Sequence, residues 1–226
     1  MDVALIGKPV AHSLSPRMQN AAFEAAGLDW TYTAREVEAD RLEDELRELG
    51  ASFRGANVTA PYKLDVARLV GSELASVNTL VFEDGVQAFS TDAAILDGLE
   101  FERAVIVGDG GAAAAFRAVL PEARVFSRRG DWPPETADAD LVVNATSAKD
   151  EVVAWVGPGQ ILVDLPYPES ATADAGRAAG ARVLDGLEVL VAQGAASFEL
   201  WTGTPAPVEV MRRAVGLTGA QPRDSR

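Results

Sequence analysis

Residues 104–116 read "AVIVGDGGAAAAF". A β-branched apolar run ends at Gly108, and a run of alanines starts at Ala112. The first half predicts a buried strand and the second a helix. Gly108, Gly110 and Gly111 fill the turn between them. A strand–turn–helix of this kind offers N–H groups at the helix start, where the pyrophosphate of a dinucleotide would sit. Glycine lets the backbone approach the phosphates, and Ala112 and the alanines after it let the helix pack closely on a sheet. The spacing is GxGG rather than GxGxxG, so a tight turn into a small-residue helix remains the alternative.

The next strand ends "VFSRRG" (125–130). An acidic residue at that strand end would bind the ribose hydroxyls of NAD. Ser127, Arg128 and Arg129 stand there instead, and two guanidiniums suit a 2′-phosphate, hence NADP over NAD. The alternative is a solvated basic pair. Asp109 points the other way, because a carboxylate in the phosphate turn would repel a pyrophosphate unless it turns aside.

Outward from this unit the same rhythm continues. Strands are expected at 104–108, 123–128, 140–146, 161–165 and 181–185, with helices at 110–120 and 172–180. A long apolar helix follows at 186–203, then a last helix at 207–217 and a frayed tail at 218–226. Towards the N-terminus, strands at 3–7, 30–37 and 53–59 alternate with helices at 15–27, 40–50 and 61–70. Ser15 and Asp40 are expected to cap two of these helices and Gly27 to end one. That βαβαβα order favours a parallel sheet. Asp84-Gly85 inside 78–92 marks a hairpin, and a short helical stretch is expected at 93–99. The fold class is α/β, with two α/β domains and a ligand cleft between them.

Composition narrows the function. The 226 residues carry a formal net charge of −14, one histidine and no cysteine. A strongly acidic chain repels a phosphate backbone, which argues against nucleic acid. Without Cys and with one His, a transition-metal site is not expected. There is no apolar run long enough for a membrane span, and the start lacks the pattern of a secretion signal. A cytoplasmic protein acting on a small molecule is expected, as a monomer or homodimer.

Polar residues in the first half sit where ligands bind in open α/β sheets. In "NVTAPYK" (57–63), Asn57, Thr59 and Lys63 lie at a strand end and the helix after it. Asp92, in "FSTDAAI", follows the hairpin. A Lys63–Asp92 pair in a cleft would hold an ammonium in place for proton transfer. The alternatives are a surface lysine and a helix cap.

The segments "GKPVAHSLSPRMQNAAFEAAG", "GANVTAPYK", "SVNTL", "STD", "VGDGGAAAAF", "VVNATS", "DLPYPESAT" and "GLEVLVAQGAASFELWTG" occur in that order. Together they closely resemble the shikimate/quinate dehydrogenase family, from about Ile6 to about Pro207. The resemblance implies a substrate-binding domain from residues 1–94 plus 190–226, and a Rossmann-like NADP-binding domain from 95–189. It implies that Ser13 and Ser15 bind a substrate carboxylate and that Thr59 touches the substrate. Lys63 would be the catalytic proton donor and acceptor, paired with Asp92. Asn78, Asp92 and Gln193 would bind ring hydroxyls, and Tyr167 would join the substrate site. Gly108, Gly110, Gly111, Ala112, Ser127, Arg128, Arg129, Asn144 and Thr146 would hold NADP. The reaction implied is NADPH-dependent reduction of 3-dehydroshikimate to shikimate, on the route to chorismate and the aromatic amino acids. A quinate or aminoshikimate dehydrogenase, and a non-catalytic shikimate or nucleotide sensor, are the other readings.

The chain departs from the family pattern at several points. Ser90 replaces an asparagine, Ala93 a glycine, Asp109 a small residue and Val189 a methionine. "SRR" stands for the usual "NRT". The segments between Lys63 and Asn78, after Asp92 and after "VFSRR" are short.

Overall fold

A computed structural model describes residues 1–217; the tail expected at 218–226 lies outside the described residues. The first half contains β1 (Asp2–Gly7), α1 (Ser15–Ala25), β2 (Thr31–Glu36), α2 (Leu42–Ser52), β3 (Gly55–Val58), α3 (Lys63–Leu69), β4 (Thr79–Val81) and β5 (Gln87–Phe89). Its five-stranded sheet has the order β2-β1-β3-β4-β5. β1 pairs parallel with β2 and β3, and β4 then runs antiparallel to β3 and β5. The expected hairpin joins β4 and β5 through Asp84 and Gly85, both with positive φ (52° and 117°).

β1 is apolar throughout its buried stretch because both of its faces are covered. Alternate residues divide between two cores. Val3 and Leu5 join Met18, Phe23, Phe198, Trp201 and Met211, while Ala4 and Ile6 join Leu49, Val58, Val66 and Leu80. Trp201 is fully buried and its indole N–H donates to the Leu80 carbonyl at 2.9 Å. Gly55 makes room for that ring, since a β-carbon there would stand 2.3 Å from Trp201 Nε1.

The second half contains β6 (Ala104–Val107), α4 (Gly111–Val119), β7 (Arg124–Phe126), β8 (Leu141–Asn144), β9 (Ile161–Asp164), α5 (Ala171–Ala178) and β10 (Arg182–Leu184). The sheet is wholly parallel, in the order β10-β9-β8-β6-β7. Ile106, Val143 and Val163 pack with Phe116 of α4 on one face. Val105, Val107, Val142 and Leu162 face the other side, where Val153, Ala154 and Val156 from an irregular segment cover them. Asp185 caps α6 (Gly186–Thr202) by accepting from the Leu187 and Glu188 N–H groups. α6 straddles the two halves: Val189 belongs to the second sheet's core and Leu190 and Val191 to the first's. α7 (Val208–Ala214) then packs on α1 and α6. Among the described residues no helix is long and apolar enough to cross a membrane.

Three local expectations need correction. The helical stretch expected at 93–99 is a single 3₁₀ turn, Ala94–Leu96. Asp40 lies inside another such turn, Ala39–Arg41, and does not cap α2. Ser15 is the first residue of α1 rather than its cap, and the Ser13 hydroxyl accepts from the Ser15 N–H at 3.2 Å. Pro16, with no N–H to lose, explains why the helix can start there.

Candidate active site

In each sheet two neighbouring parallel strands continue into different loops at their carboxyl ends: β1 and β3 in the first, β6 and β8 in the second. Open α/β sheets leave a crevice at such points. Here both crevices open into one cleft of about 920 Å³. The cleft is lined on one side by Ser13, Ser15, Thr59, Lys63, Asn78, Asp92, Tyr167 and Gln193. On the other side lie Gly108, Gly110, Gly111, Ala112, Ser127, Arg128, Arg129 and Thr146. The single histidine, His12, is exposed at its edge.

Lys63 is the first residue of α3 and Asp92 follows β5, so the hairpin brings them together. Lys63 Nζ donates to Asp92 Oδ1 at 2.7 Å and to Oδ2 at 2.6 Å. Both side chains are largely shielded, at 14% and 9% exposure. Asn78 Nδ2 donates to the same Asp92 Oδ1 at 2.9 Å, and Asn78 Oδ1 accepts from the Thr91 N–H at 2.7 Å. The carboxylate is thereby fixed from two directions.

Behind this pair lies a polar network that the sequence did not disclose. Asn57 lines the cleft at its strand end, as expected, but its side chain is committed to this network. Its amide donates to the Asn78 carbonyl, Thr79 Oγ1 and Ser197 Oγ, each at 3.0 Å, and its carbonyl accepts from the Tyr32 hydroxyl at 2.8 Å. Burial pushes the Tyr32 phenol well above its ordinary value, so it stays a donor. Ser197 sits four residues after Gln193 on α6, and its hydroxyl donates to the Gln193 carbonyl at 2.9 Å. The run of Asn57, Thr79, Thr91 and Ser197 is scattered over 140 residues, and no local spacing announces it.

Residues 10–13 form a turn, closed by the Ser13 N–H on the Val10 carbonyl at 3.0 Å, and Leu14 already has helical dihedrals (φ −85°, ψ −8°). Both serines still line the cleft, at the start of the 11-residue α1.

On the opposite wall, Gly108 has φ +130°, and a β-carbon there would meet the Ala145 carbonyl oxygen at 2.9 Å. Nothing lies within 4 Å of the β-carbon that Gly110 lacks. Gly110 caps α4. A turn with that opening, a helix start and two arginines suits a phosphorylated dinucleotide. Asp109 stays at the cleft, where Arg129 holds it by two hydrogen bonds, which also keep its carboxyl below the ordinary range. Arg128 pairs with Glu151 and lies 5.4 Å over the Trp132 ring, a cleft residue absent from the expectations.

Asn144 is placed differently from expectation. It is fully buried behind the wall, donating to Asp164 Oδ1 at 2.7 Å. Its Oδ1 accepts from the Thr146 N–H at 3.1 Å and the Thr146 hydroxyl at 2.7 Å. Thr146 lines the cleft and Asn144 shapes the turn that presents it.

Residues 5–80 match the family model "Shikimate dehydrogenase substrate binding domain", and residues 186–215 match "Shikimate 5'-dehydrogenase C-terminal domain". The chain is 38% identical to the shikimate dehydrogenase (NADP(+)) of Moorella thermoacetica, covering 99% of this chain and 97% of that one. It is 37% identical to the enzyme of the same name from Natronomonas pharaonis, covering 95% and 98%. The crystal structure of shikimate 5-dehydrogenase from Thermus thermophilus in complex with NADP(H) and shikimate superposes with a TM-score of 0.82 at 30% identity, covering 95% and 98%. The Aquifex aeolicus shikimate dehydrogenase gives a TM-score of 0.85 at 28% identity, covering 96% and 97%.

Proposed function

The chain belongs to the shikimate dehydrogenase family, and on that premise we propose that it interconverts 3-dehydroshikimate and shikimate with NADP as cofactor. The observation that carries the reading is the Lys63–Asp92 pair, shielded and facing the glycine turn across one cleft. NADPH, when bound, supplies the hydride. The remaining work falls to the chain's own side chains.

Lys63 Nζ gives a proton to the substrate oxygen that becomes a hydroxyl, and takes it back in the oxidative direction. Asp92, with both oxygens on Nζ, holds the ammonium in one orientation. Asn78, Asp92 and Gln193 are assigned to substrate hydroxyls, and Thr59 and Tyr167 to the same pocket. Ser13 and Ser15 are assigned to the carboxylate. Two neutral hydroxyls and the positive end of α1 accept an anion in a chain whose net charge is −14. Residues 1–94 and 190–217, among those described, then form the substrate side and 95–189 the nucleotide side. α6 links the two through Val189 and Leu190.

An absorbance assay at the NADPH band, with shikimate and each nicotinamide cofactor, tests the reading. Turnover with NADP+ that disappears in Lys63→Ala supports it. Equal oxidation by wild type and Lys63→Ala removes the proton-transfer assignment.

A further inference from the structure

The nucleotide wall carries an ion pair that links its two phosphate-facing parts. Asp109 sits between Gly108 and Gly110, and Arg129 lies beyond the end of β7. Arg129 Nε donates to Asp109 Oδ2 at 2.7 Å and Nη2 to Oδ1 at 2.6 Å. That bidentate geometry is the one a guanidinium also offers to a phosphate. Arg129 is 80% exposed and Asp109 38%, so solvent screens the pair and it opens at small cost.

Two cofactors would meet this pair differently. A dinucleotide with a 2′-phosphate brings a dianion that is a stronger partner for Arg129 than a carboxylate. Drawing Arg129 away leaves Asp109 bare beside the pyrophosphate, and the two anions repel. A dinucleotide with a plain 2′-hydroxyl leaves the pair closed and Asp109 neutralised. The second arginine, Arg128, pairs with Glu151 and lies over the Trp132 ring, so it can add to the phosphate contact but makes no hydrogen bond to Asp109.

We propose that Asp109 is a cofactor-selectivity residue: it competes with the 2′-phosphate for Arg129 and so narrows this chain's preference for NADP over NAD. The proposal rests on the functional reading above, since it presumes a nicotinamide dinucleotide on the glycine turn.

Calorimetric titration of NADP+ and NAD+, at fixed ionic strength and without substrate, tests it. The proteins needed are wild type, Asp109→Ala, Asp109→Asn, Arg129→Ala and the Asp109→Ala/Arg129→Ala double variant. Both side chains are exposed, so the variants keep the fold. Asp109→Ala and Asp109→Asn are each expected to bind NADP+ about tenfold tighter, from a freed guanidinium and lost repulsion. NAD+ should change by less than about threefold. In the Arg129→Ala background the Asp109 substitution should no longer alter the NADP+/NAD+ ratio. Weaker NADP+ binding in Asp109→Ala would overturn the proposal, because Asp109 would then be orienting Arg129 for the phosphate. Equal tightening of both cofactors would overturn it in favour of plain repulsion of the pyrophosphate. Wild type that binds neither cofactor would overturn the dinucleotide reading along with it.

Discussion

The β-carbon that Gly111 lacks would stand 2.8 Å from Lys63 Cβ and 3.3 Å from Lys63 Cδ. Gly111 opens the helix of the nucleotide wall and Lys63 opens a helix of the substrate wall. The glycine turn is therefore also the seat of the lysine's aliphatic stem. Its absent side chain lets the two walls approach closely enough for one reaction centre.

Gly111→Ala is expected to push Lys63 off Asp92 or to part α3 from α4. Neither atom that the new methyl meets first is the free end of a side chain. A displacement near 1 Å lowers kcat on the order of a hundredfold. Thermal unfolding should shift little by comparison, because the site lies at a boundary rather than inside either core. Steady-state kinetics beside a melting curve checks this; unchanged kcat would mean that the walls adjust freely.

Lys63 and Asp92 are expected to act as one unit. Lys63→Ala removes the proton donor and should cost about 10²–10⁴-fold in kcat. Asp92→Asn keeps the shape but frees the ammonium from its bidentate hold, and should also cost kcat. The double variant should be little worse than Lys63→Ala alone, because groups in one network are not additive. Fully multiplicative losses in this cycle would separate the two roles.

Much of the architecture was legible because it is written locally. Gly108 after a β-branched run, and Asp84-Gly85 between two short strands, are backbone requirements that only a few residues meet. The two-faced burial of β1 shows in its unbroken apolar run. The cleft residues could be grouped because they cluster at strand ends, where loops of a parallel sheet converge. Asn57 does line the cleft, but its role as a strut was not legible. A polar residue at a strand end reads equally as a ligand contact or as a buried strut, and only its partners Tyr32, Thr79 and Ser197 decide. Asn144 is the case where the strut reading wins outright, since it is fully buried and its partner Asp164 lies on the adjacent strand. The Asp109–Arg129 pair could be suspected from charge alone, whereas its geometry needed the turn and the β7 end in space.

Ser13 and Ser15 separate substrate binding from cofactor binding. Replacing both by alanine removes two neutral donors at the start of α1. Each lost hydrogen bond to a charged carboxylate is worth about 1.5–3 kcal/mol, so KM for shikimate should rise by at least tenfold. KM for NADP+ should stay within about twofold, as both serines lie on the far wall of the cleft. Ser13→Ala alone also frees the Ser15 N–H that it caps, which a small drop in melting temperature would register. Equal rises in both KM values would undo the assignment.

Asp164 makes the nucleotide half sensitive to pH in a direction opposite to that of a paired surface carboxylate. It is fully buried and accepts from Asn144 Nδ2 at 2.7 Å and from the Ser170 hydroxyl at 2.6 Å. Burial raises its carboxyl above the ordinary value of 3.8, and the two hydrogen bonds offset only part of that rise. The native state therefore holds this proton more tightly than the unfolded chain does. Its contribution to stability is fully present below 3.8 and is lost as pH rises through the native value. Asp164→Asn removes the titration and leaves one donor without an acceptor, at a cost of about 1–3 kcal/mol. Denaturant unfolding of both proteins across this pH range should show wild type ahead at the acidic end. The gap should narrow as pH rises. A gap that widens instead would mean that the native carboxyl is the more acidic one, held ionised by Asn144 and Ser170.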